Sequence, residues 1–193
     1  MTPIINTQPA AADEAALVER AKRDPLAFGA LYDRYVDRIY GYALRETGHA
    51  AAAQDVTSAT FERALRHIRR FQPGANGIAP WLYRIARNEI IQQYRRDKRL
   101  HPLDGDPAAD GGKPGQAARP IELAVMSGER ERDLYAALTQ LSAADRDVLT
   151  LRFLEQLPTE SVAQILECSR DNVYVRLHRA LGRLRDLLAT GEK

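Results

Sequence analysis

Apolar residues recur at intervals of three or four positions through most of this chain, and this spacing restricts its fold more than any other feature. One such series runs through Leu31, Tyr35, Ile39 and Tyr42. Side chains at this spacing share one face of an α-helix, whereas those of a β-strand alternate with a period of two. Residues 13–100 contain no alternating stretch of that kind. The sequence therefore predicts an all-α fold.

The helical pattern stops at residues 101–120, which contain four prolines and four glycines and almost no large apolar residue. Such a composition is typical of a flexible linker. The chain is therefore expected to form two small helical domains. The predicted parts are a disordered tail at 1–12, a domain at 13–100, a linker at 101–130 and a domain at 131–190.

Turn-forming residues and apolar spacing together delimit the individual helices. The second helix is predicted to follow Asp24-Pro25, because proline disfavours helix in the residue before it and suits a first helical turn. Its buried face is predicted to include Leu26, Phe28 and Leu31. The predicted helices cover residues 13–23, 26–48, 50–71, 80–99, 121–139, 142–154, 159–166 and 169–188.

Composition excludes several classes of site. Cys168 is the only cysteine, so neither a disulfide framework nor a multi-cysteine zinc site can form within the chain. The four histidines are scattered, and there is no HExxH motif or glycine-rich phosphate loop. No apolar run approaches the roughly 18 residues of a membrane span. We therefore expect a cytoplasmic protein without catalytic residues, metal, cofactor or membrane insertion.

Charge is distributed unevenly, although the formal net charge is only +2. Residues 61–100 contain ten Lys or Arg against three acidic residues, whereas residues 101–167 contain six against twelve. A basic helix attracts the phosphates of a nucleic acid because binding releases their counterions. The basic block is therefore a candidate nucleic-acid surface.

The last two predicted helices are separated by only Glu167 and Cys168, a spacing typical of a helix-turn-helix. A good N-cap, Ser169, precedes the second of them, and a helix N-terminus attracts phosphate. Its polar residues suit the major groove of DNA, although the same arginines could form only a solvated helix face. We interpret Cys168 as a small apolar turn residue in preference to a redox sensor. The candidate DNA contacts are Arg170, Asn172, Tyr174, Arg176 and Arg179.

The second domain resembles the promoter-reading domain of extracytoplasmic-function sigma factors. The similarity covers residues 141–155, 160–163 and 172–180. It implies that the second helix of the helix-turn-helix binds the minus-thirty-five promoter element through the five candidates above. Two positions differ from the family's pattern, since Glu167 stands in place of a turn glycine and Tyr174 in place of a basic residue.

The first domain is similar to the same family independently. Residues 27–35 resemble its opening helix, and residues 55–64 resemble the stretch that docks on a coiled coil of the polymerase clamp. The similarity implies that Asp55 and Phe61 contact core RNA polymerase, although Asp55 could instead favour a helix N-terminus electrostatically. Residues 58–59 lack the family's usual Gln-Glu pair.

Residues 81–88 carry the strongest similarity in the first domain. In the family this helix and the loop before it hold the melted minus-ten element, and here the loop at 72–78 could accommodate an unstacked base. Trp81 could stack on such a base, but its place at the head of a periodic helix favours a core position. The implied minus-ten contacts are Arg84, Arg87, Asn88, Arg95 and Arg96.

The resemblance implies a bacterial sigma factor that binds core RNA polymerase, recognises both promoter elements and promotes initiation of transcription. Its implied partners are core polymerase and promoter DNA, both duplex and melted, with an anti-sigma protein as a further candidate. Acidic linker residues are implied to lie near the polymerase active-site channel. An ordinary helix-turn-helix regulator is the main alternative, and a nuclease is the least supported one. The linker residues concerned are Asp104, Asp106 and Asp110.

Overall fold

The computed structural model describes residues 11–100 and 129–191. Within these ranges the regular elements are all helical, which confirms the all-α prediction. No helix there is long and apolar enough to cross a membrane. Most of the predicted tail, and the linker with its three aspartates, lie outside the described residues. The helices are α1 (Ala11–Ala21), α2 (Pro25–Thr47), α3 (Ala50–His67), α4 (Ala79–Leu100), α5 (Glu129–Gln140), α6 (Ala143–Leu149), α7 (Thr159–Ile165) and α8 (Arg170–Gly191).

Helices α1 to α4 form the N-terminal domain around an apolar core. Leu31, Tyr35, Ile39 and Tyr42 of α2 are all buried, as are Val56 of α3 and Leu82 of α4. Burying a side chain of this size contributes about 1.5–3 kcal/mol relative to leaving it exposed. The predicted third helix, at 50–71, divides into α3 and a short 3₁₀ turn, Ile68–Arg70.

Local chemistry fixes both ends of α2. The Asp24 carboxylate accepts a hydrogen bond from Leu26 N at 2.9 Å, and Pro25 occupies the first turn. Gly48 ends the helix at φ 73°, a conformation that glycine adopts without strain. The prediction that Leu26 is buried is wrong, because its side chain is 87% exposed. At about 100° per residue, Leu26 lies on the opposite side of the helix from Phe28.

Glu14 of α1 fixes the loop that precedes α4. Its carboxylate accepts hydrogen bonds from the Tyr35 hydroxyl at 2.6 Å and from Ile78 N at 3.0 Å. Gly77 has φ 68°, and a Cβ at this position would collide with the Glu14 carboxylate. The loop therefore reaches α4 by a backbone path that requires glycine at this position.

Helices α5 to α8 form the C-terminal domain, whose core includes the fully buried Leu151, Val162 and Ile165. The helix predicted at 142–154 is divided here. Helix α6 begins after its N-cap Ser142, and a π-helical segment, Thr150–Leu154, continues the chain in a wider turn.

Helices α7 and α8 form the predicted helix-turn-helix. Glu167 between them has φ 52°, the left-handed conformation that glycine adopts most readily. The turn is closed by Cys168 N, which donates to Ala163 O at 3.0 Å. The Ser169 hydroxyl accepts from Asn172 N at 3.2 Å and so caps α8, as predicted. The turn therefore forms without glycine, at the cost of one strained residue.

The two domains pack against each other. Helix α7 lies on α4, and α6 lies on α2. Their buried apolar residues belong to one continuous cluster. Helical periodicity predicts the two domains but contains no information about this association.

Candidate nucleic-acid interface

Helix α4 presents a polar, cationic face to solvent. Arg84, Asn88 and Arg95 fall on one side of the helix, because positions four and eleven residues apart nearly superpose on a helical wheel. Their side chains are exposed, as is that of Arg96. These four residues, termed the α4 surface below, are four of the five residues predicted for the minus-ten element.

Arg87, the fifth, is engaged with the C-terminal domain. Its Nε donates to Oδ2 of Asp147 at 2.6 Å, and its side chain is only 26% exposed. Burial by itself lowers the pKa of Arg87, but the Asp147 carboxylate outweighs burial and raises the pKa above its ordinary value. Arg87 is therefore a charged group whose counterion, in this structure, is a carboxylate of the other domain.

The five residues predicted to contact the minus-thirty-five element lie on two flanks of the N-terminal half of α8. Arg170 and Tyr174 lie on one flank, four residues apart. The other flank carries Asn172, Arg176 and Arg179, which also fall at helical spacing. All are exposed except Arg176, which is partly buried. Both flanks border the exposed side of the helix, opposite the buried Val173 and Ala180.

The Arg170 flank is tied to α7. Arg170 forms an ion pair with Glu160 at 3.1 Å. Hydrogen bonds with Arg170 and Thr159 lower the pKa of Tyr174. Tyr174 therefore occupies the position of the family's basic residue without a charge of its own, but in contact with the charge of Arg170.

The two residues predicted to contact polymerase differ in exposure. Asp55 is exposed on α3 beyond the first turn, which contains no acidic residue, so its interpretation as a helix N-terminal charge is not favoured. Phe61 is 5% exposed and packs edge-to-face on Tyr32, with ring centroids 4.8 Å apart. Tyr32 itself is 42% exposed. The aromatic group available to a partner here is thus mainly Tyr32.

Trp81 stacks on Phe71, with ring centroids 4.7 Å apart and ring planes inclined by 29°. Both side chains are partly buried against the core. This contact favours the interpretation of Trp81 as a packing residue that holds the loop at 72–78 against the head of α4.

Comparisons with known proteins assign both domains. Residues 31–100 match the family model described as Sigma-70 region 2, and residues 131–184 match Sigma-70, region 4. The chain is 33% identical over 187 residues to the ECF RNA polymerase sigma factor BldN of Streptomyces coelicolor, covering 94% of this chain and 69% of BldN. It is 36% identical over 177 residues to the ECF RNA polymerase sigma factor SigL of Mycobacterium tuberculosis, covering 91% of each. The chain belongs to the extracytoplasmic-function sigma factors.

This membership decides between the functions that the sequence left open. A sigma factor is a non-catalytic subunit of RNA polymerase, and this one initiates transcription through its region 2 and region 4 domains. Core RNA polymerase and promoter DNA are its partners. The alternatives of a helix-turn-helix regulator and a nuclease are therefore wrong.

A solved structure shows the same architecture. The sigma factor RpoE in complex with the anti-sigma factor NepR, from Bartonella quintana, is 25% identical and superposes with a TM-score of 0.66. The match covers 84% of this chain and 96% of that one. Helices α1 to α4 are hereafter the region 2 domain, and α5 to α8 the region 4 domain.

Three acidic residues that the sequence analysis did not single out lie where the two domains of this sigma factor meet. Glu46, Asp147 and Glu155 are each at most 7% exposed. Ionised groups are rarely buried unless they are paired, because removing a charge from water is costly. Each of the three has partners in the opposite domain, and together these pairs are termed the interdomain contact.

Asp147 of α6 is held by two donors from the region 2 domain. The Tyr42 hydroxyl donates to Oδ1 at 2.9 Å, while Arg87 occupies Oδ2. Burial, and then the charge of Asp147, raise the pKa of Tyr42. Tyr42 therefore stays a neutral donor at physiological pH.

Glu155 is held by three residues of the region 2 domain. Its carboxylate pairs with Arg45 and accepts a hydrogen bond from the Tyr83 hydroxyl, while its carbonyl accepts from Nη2 of Arg38 at 3.2 Å. The rings of Tyr83 and Tyr42 meet edge-to-face with centroids 5.4 Å apart. The two tyrosines thus form one platform that donates to both acidic residues.

Glu46 of α2 is the acidic residue on the region 2 side. It accepts a hydrogen bond from Nε of Arg146 at 3.2 Å, and both side chains are at most 6% exposed. Burial, followed by the nearby charge of Asp147, raises the pKa of Glu46 to about 7, against the opposing effect of Arg146. One sequence signal could have identified Glu46, since it continues the helical spacing of Ile39 and Tyr42 and so places a carboxylate on a core stripe.

Proposed function

We propose that the α4 surface and the exposed half of α8 are the two promoter-contacting surfaces of this sigma factor. Both lie on helices whose opposite faces are anchored in a core, so the positions from which their side chains project are set before DNA arrives. The proposal extends the established role in initiation to individual residues. Because transcription takes place where the chromosome is, the site of action is the bacterial cytoplasm.

On region 2, we assign Arg84, Asn88, Arg95 and Arg96, with Arg87 once it is released, to the melted minus-ten strand. The observation that carries this assignment is the exposed row of Arg84, Asn88 and Arg95 along α4. Arginines in such a row follow a phosphate backbone, while an amide can bind the edge of an unpaired base. Capture of an unpaired base favours the open promoter, because the interaction exists only when the strands are separated.

On region 4, the exposed half of α8 enters the major groove at the minus-thirty-five element. Arg176 and Arg179 bind phosphate, while Asn172 and the Arg170–Tyr174 pair lie near the base edges. The capped N-terminus of α8 adds the positive end of the helix dipole to this surface. Recognition thus combines phosphate contacts that position the helix with base contacts that specify sequence.

Polymerase docking is assigned to Asp55 on α3 and to the aromatic pair of Phe61 and Tyr32. The charge of Asp55 and the half-exposed ring of Tyr32 offer one polar and one apolar contact. An anti-sigma protein is a further proposed partner, supported by the similarity to a sigma factor solved with one. The linker at 101–130 is proposed to connect the two domains.

The test of the minus-ten assignment is Asn88→Ala, measured on two DNAs with core polymerase. We expect weaker binding to a fork with an exposed minus-ten strand and unchanged binding to fully duplex promoter, with fewer transcripts started. Gln54→Ala, which removes an exposed amide from α3, serves as the control and should match the native chain. Equal losses on fork and duplex would contradict the assignment of Asn88 to the melted strand.

A further inference from the structure

The loop at 72–78 is anchored at both of its ends. At its start Phe71 stacks on Trp81, and at its end the side chain of Ile78 is fully buried. Residues 72–75, between these anchors, are exposed. The loop therefore presents a short accessible segment whose two ends are held by the core of the region 2 domain.

Ile78 occupies the N-cap position of α4, since its carbonyl accepts from Trp81 N at 3.0 Å and from Leu82 N at 3.1 Å. The side chain of isoleucine has no polar atom with which to cap a helix. Oε1 of Glu14 binds the backbone of this residue, accepting from Ile78 N at 3.0 Å, as the glutamate of a capping box does. The N-terminus of α4 is thus fixed by a residue 64 positions earlier in the sequence.

The Glu14 carboxylate is itself held by α2. Its Oε2 accepts from the Tyr35 hydroxyl at 2.6 Å, and the Tyr35 side chain is 3% exposed. Burial, followed by this hydrogen bond, raises the pKa of Tyr35, so the hydroxyl remains a donor at physiological pH. A carboxylate with one oxygen on α2 and the other on the loop cannot rotate without breaking a hydrogen bond. Glu14 therefore links the loop to the core of the region 2 domain.

The backbone at Gly77 lies against the same carboxylate. Gly77 adopts φ 68°, and a Cβ at this position would collide with Oε1 of Glu14. Its N–H donates to Gly74 O at 3.2 Å, which closes the turn of the loop. Loop and carboxylate are packed so closely that the position of Glu14 determines the path of residues 74–77.

The loop adjoins the α4 surface. Arg84 lies six residues beyond Ile78, which is about 9 Å along the helix axis. A DNA strand whose phosphates follow the α4 surface therefore brings its neighbouring bases to the loop. Unpaired bases bind proteins through stacking and polar contacts, which require the protein groups to be held in a defined geometry.

We propose that Glu14 is a positioning residue for minus-ten recognition: from α1 it holds the loop at 72–78 in the conformation that accepts an unpaired base. This inference rests on the proposed assignment of the melted minus-ten strand to region 2. Glu14 acts through the backbone of Ile78 and Gly77 and does not itself contact the base. The family model matched by this domain begins at residue 31, so the contribution comes from a helix outside the match.

The test measures base discrimination by the holoenzyme assembled from core polymerase and the Glu14→Ala chain. Fork DNAs carry each of the four bases in turn at every unpaired minus-ten position. We expect the ratio of the tightest to the weakest affinity to fall roughly two- to tenfold, because losing the hydrogen bond lowers the fraction of loops that can accept a base. Phosphate contacts of α4 do not depend on the loop, so binding to the least favoured base should change little. A merely unstable chain would reduce the number of binding molecules without altering this ratio.

Glu19→Ala is the matched control, since Glu19 is an exposed glutamate of α1 that pairs with Lys22 on the same helix. It should keep the native ratio. Glu14→Gln retains an acceptor for Ile78 N and should recover most of the discrimination. Tyr35→Phe releases the second oxygen of the carboxylate and should lower the ratio less than Glu14→Ala does. It decides the matter if Glu14→Ala does not fold.

A native ratio in both Glu14→Ala and Tyr35→Phe, or an equally reduced ratio in Glu19→Ala, would overturn the proposal. If Asn88→Ala still weakens binding to the fork in that case, the proposed minus-ten surface stands and only the role of Glu14 fails. If Asn88→Ala has no effect either, both fail.

Discussion

Arg176 shows how the role of one residue can be separated from that of its helix. Helix α8 contains arginines at both ends, with Arg176 near its capped N-terminus and Arg185 in its last turns, 80% exposed. If the N-terminal half enters the major groove, only the first of these charges lies near DNA. Position along the helix, and not charge alone, then determines the contribution to binding.

We therefore predict that Arg176→Ala weakens binding to minus-thirty-five duplex, by about 1–3 kcal/mol if Arg176 contacts a base. If it contacts only phosphate, the slope of log affinity against log salt should fall by about one unit. The measurement is a salt titration of duplex binding, with Arg185→Ala as the control of equal charge change. An equal effect of both substitutions would indicate a general electrostatic contribution and remove Arg176 from the site.

Glu46 is predicted to make the stability of the folded chain depend on pH. Its pKa of about 7 in the folded chain exceeds the ordinary value of 4.5, so between these values the folded state binds a proton that the unfolded state does not. The corresponding stabilisation is complete below about pH 4.5 and is lost as pH rises through 7. Glu46→Gln, uncharged at every pH, should flatten this part of the stability profile.

The measurement is the free energy of unfolding by urea at pH values between 5 and 8. Glu62→Gln is the control, because Glu62 is exposed and pairs with Arg66 one turn away on α3. Its profile should follow that of the native chain. An unaltered profile in Glu46→Gln would show that another group titrates in this range.

At the scale of the element, the helix-turn-helix forms with a residue that local sequence rules disfavour. Glu167 adopts φ 52°, and its side chain is exposed. A left-handed conformation costs a non-glycine residue about 1–2 kcal/mol, so the turn is maintained by the packing of α7 and α8 on either side. Tertiary packing here overrides the preference of a single residue.

We accordingly predict that Glu167→Gly stabilises the region 4 domain by up to about 1 kcal/mol. The substitution removes the backbone strain, but glycine also adds chain entropy to the unfolded state, which offsets part of the gain. Gln164→Gly places the same residue in α7 at an exposed helical position, where it should destabilise by about 0.5–1 kcal/mol. Thermal unfolding of the two variants checks the opposite signs. A loss of stability in Glu167→Gly would mean that the Glu167 side chain contributes more than its backbone strain costs.

At the scale of the whole molecule, the interdomain contact couples the stability of two domains that are separate in sequence. Tyr42 and Asp147 lie 105 positions apart, and Arg38 and Glu155 lie 117 apart. Contacts of this kind make the domains unfold together as long as they persist. Removing one partner of a buried pair leaves the other charge uncompensated, which favours separation of the domains.

We predict that the native chain unfolds in urea in one transition and that Arg146→Met, which strips Glu46 of its partner, unfolds in two. Arg63→Met is the comparison, because Arg63 pairs with the buried Glu89 at 2.8 Å within the region 2 domain. That variant should lose stability but keep a single transition. Circular dichroism and tyrosine fluorescence followed together would distinguish these outcomes, and one transition in both variants would show that the pair does not couple the domains.

The sequence by itself determined the all-α fold, most of the helices and the division into two domains. These depend on interactions within a turn or two of chain, such as the Asp24 cap and the apolar spacing on α2, and such interactions can be recognised in any short window. Family resemblance located both candidate promoter-binding helices for the same reason, since their motifs are contiguous. The prediction for Leu26 failed because Leu26 was assigned to the buried face without considering its angular position around the helix.

Only the tertiary structure decided which candidate side chains are free and which are engaged. Arg84 and Arg87 are both arginines of the same helix, three positions apart, and no local pattern distinguishes them. Arg84 nevertheless faces solvent, whereas Arg87 binds Asp147. Glu46, Asp147 and Glu155 gain their interdomain partners only when the domains meet. The physical reason is that pairing between distant charges depends on the packing of whole domains, which no local pattern of residues specifies.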